Sequence, residues 1–236
     1  MLVMLFAMPP KLTVVMLNWA RPANVTKFVS SYLQMRCVSA VTVINCNPAT
    51  TCCDTADVRV LNIQCDSDPG LTARFAGAAL ARTDLVLFAD DDIELPEITV
   101  MQLLNAQQIY GGASGIFGRC PGPDGVYPAN ADYVYGNVPI VLTRAVVVPA
   151  VICGQAARYT HQMVKELGGS PYGNGEDIVL SYTAMRANQG KLNWASKLPY
   201  RNRDWDSESA ISVRYADHAK HRSAVVRWCR ERIFKD

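Results

Sequence analysis

The segment "LVLFADDDIELPE", residues 85–97, decides the fold, because an apolar run leads directly into three consecutive aspartates. A short apolar run of this kind is typical of a strand buried on both faces of a parallel sheet. Asp90, Asp91 and Asp92 follow where that strand must end. Carboxylates are rarely buried without a partner, and neighbouring negative charges repel each other. We therefore expect a cation-dependent functional site at this end of the strand.

Strands and helices alternate around this segment. We predict strands at about 12–17, 40–47, 56–63 and 84–89, one helix beginning near Pro22, and a second helix over 70–83. The order strand, helix, strand, strand, helix, strand indicates an α/β fold with a mainly parallel sheet. Ligands of open α/β sheets bind outside the carboxyl ends of the strands, which is where the three aspartates lie.

The second half of the chain has a different character. We predict helices at about 94–108, 156–168, 176–189 and 216–234, with a stretch rich in Gly and Pro before the second of them. The pattern indicates one continuous domain over residues 1–236. Its α/β half covers about 11–92 and its mixed α+β half about 93–236.

Composition excludes several classes of protein. The 236 residues are 50% hydrophobic, which is enough for one substantial core. The formal net charge is only +2, so no overall charge imbalance indicates a nucleic-acid or membrane partner. The eight cysteines contain no C-x-x-C pair, so we expect free thiols in a reducing, cytoplasmic compartment. An apolar start stops at Pro9 after eight residues, too short to span a bilayer.

Two acidic clusters carry the chemistry. Mg²⁺ and Mn²⁺ prefer oxygen ligands and often share them with substrate phosphates, so the first cluster, Asp90 to Asp92, indicates metal–diphosphate chemistry. Its alternative is a helix N-cap, which needs only one aspartate. In the second cluster, "YGNGEDIVLSY", Glu176 and Asp177 begin a helix. Acidic residues there also favour the helix dipole, which is the structural alternative.

The two clusters occur in the order typical of GT-A glycosyltransferases. Four segments resemble the exostosin-like glycosyltransferases, the retaining glycosyltransferase family 64: "MLNWAR", "TDLVLFADDD", "GEDIVLSY" and "ADHAKHRS". Two positions depart from the family pattern. Gly175 stands where the family has a cysteine, and Ala73 stands where it has an asparagine.

The resemblance implies a role for residues in each segment. Asp92 would ligate Mn²⁺ or Mg²⁺ directly. Asp90 would contact the ribose or act through a metal-bound water. The remaining candidates fall into two groups. Those for binding the nucleotide-sugar are Arg21, Asn45, Arg74, Asp90, Asp91 and His218; those for catalysis are Asp177, Glu176 and Arg222.

Four of these residues have structural alternatives, and for His218 the alternative is a hydrogen-bonded surface histidine. Asn45 lies at a strand end and fits either a uracil contact or a turn. Arg21 and Arg74 would bind the diphosphate or orient the carboxylates, or be surface arginines. His218 and Arg222 are one helical turn apart, so a C-terminal lid helix could close over the diphosphate. We therefore expect the preceding loop, about 202–214, to be mobile without ligand.

The resemblance implies a metal-dependent enzyme that transfers a sugar from a UDP-sugar, with retention, in one GT-A domain. The half at 11–92 would bind the donor and the half at 93–236 the acceptor, which could be a glycan, a protein, a small molecule or a nucleic acid. Two alternatives remain: a non-catalytic GT-A domain that binds a glycan or a partner, and a nucleotidyltransferase. The segment "LNWARPANV" lacks the glycine-rich nucleotide loop usual in the latter class.

Overall fold

A computed structural model describes residues 11–50, 53, 55–129, 131–168, 174–203 and 217–234. The strands are β1 (Leu12–Asn18), β2 (Val38–Asn45), β3 (Val60–Gln64), β4 (Leu85–Ala89), β5 (Ile93–Glu94), β6 (Ser114–Gly115), β7 (Gly118–Arg119), β8 (Gly136–Val138), β9 (Ile140–Val141), β10 (Ala145–Pro149), β11 (Asn193–Ala195) and β12 (Arg201–Asn202). The α-helices are α1 (Pro22–Gln34), α2 (Ala73–Ala79), α3 (Glu97–Tyr110), α4 (Cys153–Leu167), α5 (Glu176–Ala187) and α6 (His218–Arg232).

One large sheet has the strand order β3-β2-β1-β4-β10-β6-β11-β8. In the first half of the chain, β1 pairs in parallel with β2 and β4, and β2 pairs in parallel with β3. β10 then runs antiparallel to both β4 and β6, so the second half of the chain extends the sheet in a mixed arrangement. The predicted α/β fold with a mostly parallel sheet is confirmed.

Strand β1 shows why the first half of the chain is so apolar. Val14 and Met16 pack in a cluster with α1 and α3, whereas Val15 packs in another cluster with α2, α4 and α5. Successive side chains of a strand point to opposite faces of the sheet. Because helices cover both faces, all three side chains are buried, and the strand has no need for alternating polar residues.

A third cluster holds the last helix in place. Helices α4, α5 and α6 share this cluster, to which α6 contributes Val225, Val226, Trp228 and Cys229. The prediction that the last helix is anchored by apolar residues at helical spacing is confirmed for four buried side chains: Val225, Trp228, Cys229 and Ile233. The amino-terminal turn of α6 is therefore positioned by packing farther along the same helix.

Several element boundaries differ from the predictions. β3 begins at residue 60 instead of 56, and α2 covers only 73–79 of the predicted 70–83. α3 begins at Glu97 because Ile93 and Glu94 form the short strand β5, which pairs with β12. α4 begins at Cys153, directly after a 3₁₀ turn, and not at residue 156. Periodicity locates a helix better than it locates the ends of that helix.

The structure bears on three further expectations. The cysteines that it describes, seven of the eight in the chain, are all free thiols. Within the described ranges, no helix has the length and apolar character to cross a membrane. Residues 204–214 of the loop expected to be mobile lie outside the described residues. At the start of that loop, the Arg203 amide donates a 2.8 Å hydrogen bond to the Asp92 carbonyl.

Candidate functional site

Two aspartates of the triplet pair with the two arginines predicted from sequence. Arg21, at the end of the loop after β1, places Nη1 2.8 Å from Asp91 Oδ1. Arg74, in the first turn of α2, places Nη1 3.4 Å from Asp90 Oδ1. Both arginines therefore orient the carboxylates, which is one of the two roles that the resemblance implies. Contact of either guanidinium with a diphosphate stays a prediction.

The third aspartate has a partner that sequence reasoning missed. The Arg144 guanidinium faces Asp92 with both prongs, Nε to Oδ1 and Nη2 to Oδ2, each at 3.3 Å. Arg144 lies in the turn between β9 and β10, and its carbonyl accepts a 3.1 Å hydrogen bond from the Asp90 amide. Three arginines thus face the three aspartates. A carboxylate cluster needs cations to offset its repulsion, and the protein itself supplies three.

Burial sets the electrostatics of the triplet. Desolvation raises the pKa of Asp91 to about 6, although the Arg21 guanidinium beside it acts in the opposite direction. Burial also raises the pKa of Asp92, opposed by Arg144. A charged carboxylate is costly in a poorly solvated place, and the neighbouring arginines offset part of that cost.

Arg74 joins the two acidic clusters into one site. Its side chain is only 4% exposed, and its Nε lies 3.6 Å from Glu176 Oε1 while Nη1 contacts Asp90. The Leu71 and Thr143 carbonyls accept two further hydrogen bonds from the same guanidinium, at 3.1 and 3.2 Å. Because every contact is made from one rigid planar group, the ends of β4 and α5 are held at a fixed separation.

Glu176 is the most buried acid of the second cluster. It is 3% exposed, and its Oε1 accepts a 3.0 Å hydrogen bond from the Thr143 hydroxyl. Burial raises the pKa of Glu176 to about 7, with the Asp177 charge acting in the same direction and Arg74 opposing it. This carboxyl therefore gains and loses a proton near neutral pH.

Asp177 forms a buried ion pair with the last helix. Arg222 Nη2 lies 2.6 Å from Asp177 Oδ2, and the same nitrogen donates a 3.0 Å hydrogen bond to the Tyr127 hydroxyl. Gly175 makes this approach possible. Its φ is +108°, and an added Cβ would lie 3.0 Å from a methyl group of Val225. A side chain there would strain the backbone and push α6 away from the start of α5.

Asn174 connects the start of α6 to the second acidic cluster. Its side-chain amide hydrogen-bonds His218 Nδ1 at 3.0 Å and accepts a 3.3 Å hydrogen bond from Arg222. Its carbonyl lies 2.9 Å from His221 Nε2. Burial lowers the pKa of His218, with the nearby Arg222 charge acting in the same direction. The predicted lid helix is thus docked, and contact of Arg222 with a diphosphate stays a prediction.

Asn45 lies in a row of asparagines that crosses three neighbouring strands. Its Oδ1 accepts a 2.9 Å hydrogen bond from Asn18, and its Nδ2 donates at 2.7 Å to Asn62 Oδ1. The side chain is 1% exposed at the end of β2. The predicted uracil contact is not tested by this geometry. The sequence analysis assigned no role to Asn18, which ends β1, or to Asn62, which lies within β3.

The acidic triplet fits a divalent cation that is shared with a substrate. Among the described residues, no three side chains of His, Cys, Asp or Glu come together as a metal-binding group. Mg²⁺ in phosphate-transfer sites is commonly held by only one or two carboxylates together with phosphate oxygens. The Asp90 side chain is 36% exposed and that of Asp92 13%, so Asp90 is the more accessible of the two carboxylates.

Comparison with known protein families identifies the family of this chain. Residues 12–233 match the Glycosyl transferase family 64 domain. The chain is a member of glycosyl transferase family 64. This membership supports a transferase over the non-catalytic domain and the nucleotidyltransferase that sequence reasoning left open. No match was found among curated protein sequences.

Two solved glycosyltransferase structures show the same fold as this family 64 chain. The mannosyltransferase PcManGT from Pyrobaculum calidifontis, in complex with GDP-Man and Mn²⁺, has a TM-score of 0.50 and 14% identity, over 79% of this chain and 55% of that chain. TarS 1–349 from S. aureus has a TM-score of 0.53 and 13% identity, over 82% of this chain and 60% of that chain. The chain therefore spans only part of each neighbour, and the likeness shows a GT-A fold.

Proposed function

We propose that this family 64 glycosyltransferase transfers a hexosyl or N-acetylhexosaminyl group from a UDP-sugar to an acceptor, with retention and with help from a divalent cation. One observation supports the proposal most. Arg74 links the aspartates at the end of β4 to the acidic start of α5, so a donor site and a transfer site share one guanidinium. An isolated helix cap or a surface ion pair has no need for that connection.

In this proposal, the carboxyl end of β4 binds the donor. Asp90 and Asp92 would hold Mn²⁺ or Mg²⁺ together with the diphosphate oxygens. The ion supplies Lewis-acid stabilisation of the charge that develops on the departing diphosphate. Arg21 and Arg74 fix the direction of the neighbouring carboxylates, and Asn45 and His218 complete the set of nucleotide-sugar residues together with Asp91.

The start of α5 would act on the sugar. Asp177 Oδ2 accepts from Arg222, and Oδ1 accepts a 2.9 Å hydrogen bond from the Ile178 amide, so the carboxylate has a fixed direction. A fixed negative charge stabilises the positive character that develops at the anomeric carbon, or it orients the acceptor hydroxyl. Glu176, buried beside Asp177, would tune the charge of this pair.

The identity of the donor can be tested directly with an activity assay. The PcManGT structure contains GDP-Man and Mn²⁺, which supports a nucleotide-sugar and a metal here without selecting the base. A panel of UDP-sugars and GDP-Man is incubated with the protein and Mn²⁺, and the released nucleoside diphosphate (UDP or GDP) is measured. We expect release from a UDP-sugar that EDTA abolishes. Preferential release of GDP would show that the donor is a GDP-sugar. Release that persists in EDTA would show that the reaction does not depend on a metal.

The acceptor and the setting of the enzyme are also part of the proposal. We place donor and acceptor in one domain over residues 1–236, with the acceptor bound by the half from 93 onward. The free cysteines support a reducing, cytoplasmic compartment. Acceptor glycans, proteins, small molecules and nucleic acids are tested as second substrates once a donor is known.

A further inference from the structure

Arg144 holds the carboxylate that the proposed function assigns to the metal. Its planar guanidinium presents two nitrogens to the two oxygens of Asp92, both at 3.3 Å. The side chains are 12% and 13% exposed, so solvent screens the pair only partly. A two-pronged contact between a guanidinium and a carboxylate adds geometric specificity to the attraction between the charges.

The protein holds Arg144 in this position from several sides. Nη2 also donates a 2.7 Å hydrogen bond to Asn202 Oδ1 in β12. The guanidinium carbon lies 4.9 Å from the centre of the Phe117 ring, where a cation–π contact stabilises it. The Arg144 carbonyl accepts from the Asp90 amide, which ties its backbone to the triplet. Arg144 is thus a built component of this end of the sheet.

A guanidinium and a divalent cation compete for Asp92. A carboxylate has about four lone-pair sites, and Arg144 takes one on each oxygen of Asp92, which leaves fewer directions from which a cation can bind. A divalent cation bound to the same carboxylate would also be repelled by the guanidinium charge. We propose that Arg144 is a positioning residue that weakens the binding of a free divalent cation and couples cation binding to nucleotide binding. This inference rests on the proposed metal-dependent function.

The coupling follows from what each ligand offers to Arg144. A cation that arrives alone displaces the guanidinium from Asp92 and gives it no new acceptor. A nucleoside diphosphate supplies oxygen ligands to the cation. It also supplies hydrogen-bond acceptors for the displaced guanidinium, whose fork of donors matches phosphate geometry. The diphosphate therefore replaces the interaction that Arg144 loses when it leaves Asp92, whereas a cation alone does not. By linkage, the cation strengthens nucleotide binding by the same factor as the nucleotide strengthens cation binding.

Arg21 provides a matched control in the same cluster. It forms an ion pair with Asp91, at 2.8 Å, and Asp91 is not one of the proposed metal ligands. Loss of either arginine removes one positive charge from the triplet, but only loss of Arg144 releases the proposed metal ligand. A comparison of the two variants therefore separates competition for Asp92 from the general effect of charge.

The test measures Mn²⁺ binding directly, by the electron paramagnetic resonance signal of free Mn²⁺, with and without UDP or GDP. We expect Arg144→Gln to bind Mn²⁺ alone about tenfold more tightly than the unsubstituted protein, the size expected for losing a charge-assisted competitor. The tightening of Mn²⁺ binding by nucleotide should fall by a similar factor. Arg144→Lys, which keeps the charge without the fork, should lie between the two, and Arg21→Gln should change Mn²⁺ affinity much less.

The outcomes separate this inference from the proposed function. If Arg144→Gln and Arg21→Gln tighten Mn²⁺ binding equally, or neither does, while nucleotide still promotes Mn²⁺ binding, Arg144 has no special role and the metal-dependent function stands. If no variant binds Mn²⁺ with either nucleotide, the metal itself is removed and both ideas fail. Circular dichroism spectra check that each variant is folded. If Arg144→Gln does not fold, the Mn²⁺ affinity of Arg144→Lys tests the role of Arg144 instead.

Discussion

Asp177 and Arg222 form an ion pair at 2.6 Å in which each side chain is only 7% exposed. The pair joins the first turn of α5 to the second turn of α6, across 45 residues of sequence. The same guanidinium packs over the Tyr127 ring, 4.2 Å from its centre. A residue proposed for catalysis is therefore also part of what holds the last helix in place.

Arg222→Met should lower the free energy of unfolding by about 3–5 kcal/mol, because Asp177 is left as a buried charge without its partner. The double variant Arg222→Met with Asp177→Asn should recover part of this loss. Urea denaturation followed by circular dichroism measures all three proteins. Arg232→Met is the control, since it removes a far more exposed ion pair from the same helix and should change stability little. Equal losses at positions 222 and 232 would show that burial of the first pair has no energetic consequence.

Asp177→Asn should lower kcat about hundredfold or more while it weakens nucleotide binding much less. The carboxylate is proposed to act on the sugar or the acceptor, so its charge matters mainly in the transition state. Calorimetry of UDP binding in the presence of Mn²⁺, set beside initial rates, checks the prediction. A parallel loss in rate and in nucleotide affinity would move Asp177 into the nucleotide site.

Asp92→Asn should abolish metal-dependent activity while the fold is retained, because the site has few hard oxygen ligands for a divalent cation. Rates are measured over a series of Mn²⁺ concentrations and again in EDTA. Asp84→Asn is a suitable control, since Asp84 is an exposed acid just before the opposite end of the same strand β4. Full activity of the unsubstituted protein in EDTA, or of the Asp92 variant with Mn²⁺, would contradict the assignment.

Glu176→Gln should change how stability depends on pH. Burial raises the pKa of Glu176 from an ordinary value of 4.5 to about 7, so the folded protein binds this proton more tightly than the unfolded chain. The stabilising effect of that proton is fully present below about pH 4.5 and is lost as the pH rises towards 7. The free energy of unfolding of the unsubstituted protein should therefore fall relative to the Gln variant across this range.

The control for this comparison lies within the experiment. The raised pKa of Asp91, about 6, gives a similar slope in both proteins, so only the difference between their curves reports on Glu176. Urea denaturation at half-unit steps from pH 4.5 to 7.5 provides that difference. Curves that run parallel over the whole range would show that Glu176 titrates with an ordinary pKa.

Local pattern made the elements predictable. The end of a strand located the first acidic cluster, and the start of a helix located the second. The apolar run before Asp90 required burial on both sides, and the structure places it as β4 between β1 and β10. The helical spacing of Val225 and Trp228 indicated the face of α6 that is buried. Element ends were less predictable, because pairing partners such as β12 decide whether Glu94 joins a strand or a helix.

The sequence by itself determined the α/β class, the position of the acidic triplet at a strand end, and the acids at the start of α5, since each depends on neighbours within a few residues. The tertiary structure alone decided which cation faces each acid. Arg144 reaches Asp92 across 52 residues of sequence, and Arg74 reaches the Thr143 carbonyl across 69. Such pairs depend on which strands lie side by side, and the free energy that selects that order comes from burying both faces of the sheet and not from any local pattern.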